Sequence, residues 1–105
     1  MGYDLHITRA DFWAENDSAA ITRDEWIALA ASDSDLFPMP ENGDAFFALG
    51  DRDDPHSWFD WFEGNVYTKN PDRPTLTKML ALAKRLSAHV QGDDGELYAS
   101  PEDLG

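Results

Sequence analysis

The sequence predicts an α+β fold. It would be a single mixed or antiparallel sheet of about five strands, in the order β-α-β-β-β-α-β, with two helices packed on one face. Three observations carry that prediction. Tyr3 to Arg9 alternates apolar and polar side chains strictly. Thr22-Arg23-Asp24-Glu25 writes a helix start directly ahead of Trp26. SWFDWFEGNVYTKN, residues 57–70, sets two aromatic and β-branched runs on either side of a glycine turn.

In the first strand, Tyr3, Leu5 and Ile7 face one way and Asp4, His6 and Thr8 the other, the pattern of a half-buried strand. A segment this close to the start needs anchoring, so it is expected inside the sheet. Residues 10–20 are polar apart from Phe12 and Trp13 and read as a loop with an aromatic anchor. Thr22 is then the N-cap of a helix over residues 23–32. Glu25 completes a capping box, and Ile21 is placed to staple against Trp26. Trp26, Leu29 and Ala30 form its buried side, with Ile27 at the edge. Asp33-Ser34-Asp35 ends it. Leu36-Phe37-Pro38-Met39-Pro40 is apolar but broken by proline, so it reads as a loop pinned to the core, or alternatively as a recognition segment.

After a turn at Glu41-Asn42-Gly43, residues 44–50, 57–63 and 65–69 give a three-strand meander, with Asp51 to His56 as the connector before its middle strand. Alternation places Phe59 and Trp61 on one face of that strand and Trp58, Asp60 and Phe62 on the other. Both faces are largely apolar, so the strand is either covered on both sides or presents its second face as a contact surface. Asn70 as N-cap and Pro71 at the first helical position open a second helix. Its stripe of Leu76, Met79, Leu80, Ala83, Leu86 and Ser87 is core packing. Residues 88–91 form a last strand, and residues 96–98 resume it after the Gly92-Asp93-Asp94-Gly95 turn. Residues 100–105 are expected to fray.

At 105 residues the chain is one domain, residues 1–105, and an apolar share of 42% supports a core. No run is long and apolar enough for a membrane span, and the first residues carry no secretory pattern. Met1-Gly2 is followed by His6 rather than the Ser or Thr of a myristoylation signal. The absence of cysteine excludes disulfides and thiolate metal sites and makes the cytoplasm the expected location. The net charge of −13 is uneven: residues 1–68 hold 15 acids and three bases, residues 69–105 six acids and five bases. Such a surface repels nucleic acid and anionic lipid and attracts basic proteins and cations. It also serves solubility whether or not it has a partner.

The chain contains no glycine-rich phosphate loop, no Gly-x-Ser-x-Gly and no His-Glu-x-x-His, and no cofactor is implied. What remains are candidates. His6, Asp60 and His89 share the helix-free face and would form an acid–base group if they converged. Asp60 is a carboxylate among aromatic neighbours, where burial raises a pKa. Asp51, Asp53, Asp54 and His56 are the candidate cation ligands, although they lack the frame of a calcium loop. Trp58, Asp60, Trp61, Asp4 and His6 are the candidate binding residues. An aromatic sheet face is equally suited to a homodimer.

The segments YDLHITR, WFDWFEGNVYTKNP and VQGDDGELY resemble a group of small uncharacterised bacterial proteins over most of the chain. That resemblance implies a bacterial cytosolic origin and attaches no activity. By size and charge alone the chain also resembles immunity proteins that neutralise basic toxin domains. The leading expectation is therefore a non-enzymatic acidic protein that binds a basic protein partner, with an immunity-type inhibitor as one form. The alternatives are a small enzyme or cation-binding protein built on His6, Asp60 and His89, and a domain whose acidity serves solubility only.

Overall fold

A computed structural model describes residues 3–104. Its elements run β1 (Asp4–Thr8), α1 (Arg23–Ala31), β2 (Leu36–Pro38), β3 (Phe47–Asp51), β4 (Asp54–Phe62), β5 (Asn65–Lys69), α2 (Arg73–Arg85), β6 (His89–Gly92) and β7 (Leu97–Tyr98). Short 3-10 turns cover Pro40–Asn42 and Pro101–Leu104. The strands make one seven-stranded sheet in the order β2-β3-β4-β5-β1-β6-β7, and every neighbouring pair is antiparallel.

The alternation of the first strand explains its central place. Leu5 and Ile7 are fully buried on one side of β1, and both join the cluster that holds the two helices to the sheet. Val66, Phe59, Phe47 and Val90 bring the same cluster across the neighbouring strands. Trp26 and Ala30 of α1 pack on it, as do Leu76, Met79, Leu82 and Ala83 of α2. Trp26 meets Phe47 and Phe59 edge-on, and its indole N–H donates to the Ala45 carbonyl at 2.8 Å, so a large aromatic is buried without an orphaned donor. The capping box forms in full: Thr22 Oγ1 accepts from Glu25 N at 3.2 Å, and the Glu25 carboxylate accepts from Thr22 N at 2.7 Å.

Several expectations are corrected. The sheet has seven strands rather than about five, because β2 and β7 add a short strand at each edge. The segment expected to be a loop, Leu36 to Pro40, supplies β2, with Leu36 and Phe37 buried and Pro38 on the outer strand, where a missing N–H breaks no interior ladder. The second helix begins later than Asn70-Pro71. Asp72 is its N-cap, accepting from Thr75 N at 3.0 Å, with Pro74 in the first turn. Asn70 instead adopts φ 48° and pairs with Tyr3, extending the β1–β5 contact by one residue. Residues 101–104 form a 3-10 turn whose Asp103 carboxylate accepts from Ala99 N and Ser100 N at 2.6 and 3.1 Å. Gly105 lies outside the described residues.

The aromatic hairpin closes through two residues, Glu63 and Gly64. Phe62 pairs with Asn65, and Glu63 and Gly64 take φ values of 49° and 86°. Positive φ at both central positions is the turn that matches strand twist. Asp51 to His56, expected as a connector, is mostly strand, since β4 starts at Asp54 and pairs with Asp51.

Candidate functional site

The register fixes which side chains meet on the helix-free face. Asp60 lies opposite Tyr67, Tyr67 opposite His6, and His6 opposite Gln91, so these four form one row across β4, β5, β1 and β6. Asp4 lies opposite Lys69 in the next row, and their charged groups are 3.3 Å apart.

Part of this face is roofed. Residues 9–21 leave β1, cross over it and return to the β4–β5 turn. Trp13 anchors the crossing. Its backbone N–H donates to Gln91 Oε1 at 2.9 Å, its indole N–H to the Asp93 carbonyl at 3.0 Å, and its own carbonyl accepts from Asn65 Nδ2 at 2.8 Å. Its ring lies flat on the His6 imidazole. Asn16 then ties the strap to the hairpin, donating to the Glu63 carbonyl and to Asn65 Oδ1 at 2.8 and 3.0 Å. His6 is left 5% exposed. Its Nε2–H donates to Asp93 Oδ1 at 3.0 Å, while Asp93 Oδ2 accepts from Asp4 N at 3.2 Å. Burial pushes the Asp93 carboxyl upward, but the His6 bond and the Asp4 N–H outweigh it and hold it below the ordinary carboxylate value. Beside the strap opens a cavity of about 410 Å³ lined by Asp4, His6, Trp13, Phe62, Glu63, Tyr67 and Lys69 among others.

Among the described residues no hydrogen bond joins the candidate acid–base residues His6, Asp60 and His89 to one another. β5 lies between Asp60 and His6, which puts their backbones about 9–10 Å apart at the usual strand spacing of about 4.8 Å. His89 sits opposite Thr8 and accepts from Gln91 Nε2 at 3.2 Å. His6 is engaged by Asp93 instead of by Asp60 or His89. Asp60 itself is half-buried, and its carboxyl is pushed up by burial, an effect the bond from Trp61 N at 2.8 Å opposes. Burial, and then the charge of Asp60, also raise the Tyr67 phenol.

The candidate binding residues divide between the two faces. Trp61 points to the helix side, where its indole N–H donates to the Ile21 carbonyl at 2.8 Å. Trp58 lies on the open side, stacked on Phe46 with ring centroids 5.1 Å apart and edge-on to Tyr67 at 5.5 Å. Phe62 continues the same side and is 62% exposed. Asp4 and His6 belong to the roofed end. The Asp51, Asp53, Asp54 and His56 set is dispersed as well: Asp51 Oδ1 accepts from Asp53 N at 2.9 Å in a tight turn, and His56 Nε2 meets the Asp72 carboxylate at 2.7 Å. The group that does come within ligand reach of one another, among the described residues, is Asp4, His6 and Asp93, whose ligand atoms all lie within 4.8 Å.

Sequence reasoning read Asp93 first as a turn residue, in a run weaker than the Asp51 to His56 set as a cation site, and it missed the position of Trp13. The first sits in a turn-forming Asp-Asp-Gly run just past β6, where turn chemistry hides any other role. The second was visible as an aromatic anchor in a polar loop, but nothing local says that its ring lands on His6. Among the described residues no helix is long and apolar enough to cross a membrane. No protein family, curated protein or solved structure matches the chain.

Proposed function

We propose that this chain is a non-enzymatic binding protein that engages a basic protein through the open face of its sheet, with immunity-type inhibition of a basic domain as one form of that function. The observation that carries the reading is a pairing of surfaces. The aromatic side chains of Phe46, Trp58, Tyr67 and Phe62 share the face with the carboxylates of Asp60 and Glu63. Neither carboxylate meets a basic side chain among the described residues. Aromatic anchors beside carboxylates without a basic partner suit slow dissociation and fast encounter with a basic protein. The net charge of −13 supplies the long-range attraction.

The test compares tagged wild-type protein with two variants in lysate of the source cell. One carries Phe62→Ala with Glu63→Lys on the open face; the other carries Glu102→Lys beyond the helix side. A basic protein held by wild type and by the second variant, lost with the first, and released by salt supports the reading. Equal capture by all three, or capture of acidic and basic proteins alike, rejects it.

A second reading, cation binding, has one observation in its favour: the approach of Asp4, His6 and Asp93. An imidazole and two carboxylates suit a borderline divalent ion. Lys69, 3.3 Å from Asp4, opposes it. Titration with zinc alone, followed by calorimetry, decides: heat that disappears in His6→Gln supports this reading, and no heat ends it.

A further inference from the structure

We propose that the cavity beside Trp13 takes the guanidinium group of an arginine presented by the partner, an inference that rests on the basic-partner reading and names its anchor. Four features of the cavity point there. Its volume of about 410 Å³ falls in the range of small-ligand pockets and is ample for one side chain. Its lining includes Trp13, Phe62 and Tyr67, from three separate segments of the chain, which supply flat apolar surface. Glu63 lines it, and its carboxylate has no donor among the described residues, since only the Glu63 backbone carbonyl is engaged, by Asn16. The second lining carboxylate, Asp4, is held by Lys69 at 3.3 Å, the one cation in the lining.

A guanidinium is planar, weakly hydrated and permanently charged. It stacks on aromatic faces while its edge donates to carboxylates. An ammonium is a compact, strongly hydrated charge that gains less from such walls. An anion would meet Glu63 and Asp4 with only Lys69 in its favour. The two charged lining residues on β5 and its turn therefore give a signature: removing Glu63's charge weakens binding, whereas removing Lys69's charge frees Asp4 and strengthens it.

The experiment titrates N-acetyl-arginine amide into the full chain labelled with nitrogen-15, with N-acetyl-citrulline amide and N-acetyl-lysine amide in parallel. Saturating shifts at the Trp13 indole and at the amides of Phe62, Glu63 and Tyr67, absent with citrulline and weaker with lysine, support the site. Glu63→Gln should weaken the arginine probe about two- to fivefold and Lys69→Gln should tighten it by a similar factor, the range of partly exposed ion pairs. Phe62→Ala should weaken it with the remaining spectrum intact, since that ring is already 62% exposed. No shifts, equal shifts with citrulline, lysine binding as tightly as arginine, or weakening by Lys69→Gln would each overturn the proposal. Because no partner is present in this titration, its failure leaves the capture experiment free to support the open face on its own.

Discussion

The Trp13 indole lies parallel to the His6 imidazole, with ring centroids 3.7 Å apart and planes within 6°. One ring belongs to the interior strand β1 and the other to a strap, residues 9–21, that forms no helix or strand. The pair therefore fastens an irregular segment to the middle of the sheet, and it also decides which part of the open face is closed.

Trp13→Ala removes the stack and the indole bond to Asp93. We expect a loss of about 1–3 kcal/mol in urea unfolding. We also expect faster amide exchange across residues 10–20 than the global loss accounts for. Trp13→Phe, which keeps an aromatic ring but not the N–H, should recover part of both. If exchange in the strap is unchanged in Trp13→Ala, the ring is not its anchor.

Gly64→Ala tests the hairpin turn. Gly64 has φ 86°, and an added methyl would lie 2.7 Å from Asn16 Nδ2 and 2.9 Å from Ala20 Cβ. Left-handed strain and the close approach of the strap act together, so a loss of about 2–4 kcal/mol is expected. Thermal unfolding would reveal it, and an unchanged midpoint would show that the strap does not press on the turn.

Glu25 joins the helix cap to Arg9, whose guanidinium meets it at 2.6 and 3.0 Å. Those bonds, with the Thr22 backbone N–H, bring its carboxyl from 4.5 to about 2. A depressed folded value means stability that is complete above the unfolded pKa of about 4.5 and lost as pH falls toward about 2. Glu25→Gln should cost about 1 kcal/mol at neutral pH, a modest figure because the pair is partly solvated. The difference from wild type should shrink between pH 4.5 and 2. A gap constant over that window would assign the effect to packing rather than charge.

Asp60 works in the opposite direction. Burial raises its carboxyl, so the folded state binds its proton more readily than the unfolded chain does. Its ionisation therefore disfavours folding as pH rises through the folded value, and the penalty is absent below the ordinary value of 3.8. Asp60→Asn, which keeps an acceptor for Trp61 N, should be as stable as wild type at low pH and slightly more stable at pH 7, read as a rise in the unfolding midpoint. A lower midpoint at pH 7 would mean that the carboxylate is held by a contact its surroundings do not show. If the open face binds a basic partner, the same variant should weaken that complex. The residue would then be kept for binding at some cost to the fold.

Local chemistry made the skeleton legible. The capping box at Thr22 and Glu25, the alternation around Leu5 and Ile7 and the glycine in the aromatic hairpin are each read from residues close in sequence. The errors lie where a distant partner outvotes the local pattern. Asn70 is a good cap in isolation, yet Tyr3 engages both its backbone and its side chain, and Asp72 caps instead. Pro38 argues against a strand until β3 pairs with it at the sheet's edge. The site was the least legible part, because the His6–Asp93 contact joins residues 87 apart and Trp13 reaches Gln91 across 78. Charge composition suggested a kind of partner, whereas the place to receive it depends on strand order, which no local pattern encodes.

The central place of β1 also has a consequence for synthesis. This strand precedes the other described strands along the chain, yet its two neighbours are β5 and β6, and β6 ends at Gly92. While the chain is being translated, Asp4–Thr8 has no strand partner until β5 has emerged, and its other edge stays unpaired until β6 follows. Pairings of such long sequence separation slow folding and lengthen the exposure of apolar strands. A chain cut before residue 89 would keep both helices and still leave Ile7 facing an open edge, so a ribosome stalled there holds a sticky intermediate rather than a smaller version of the same protein.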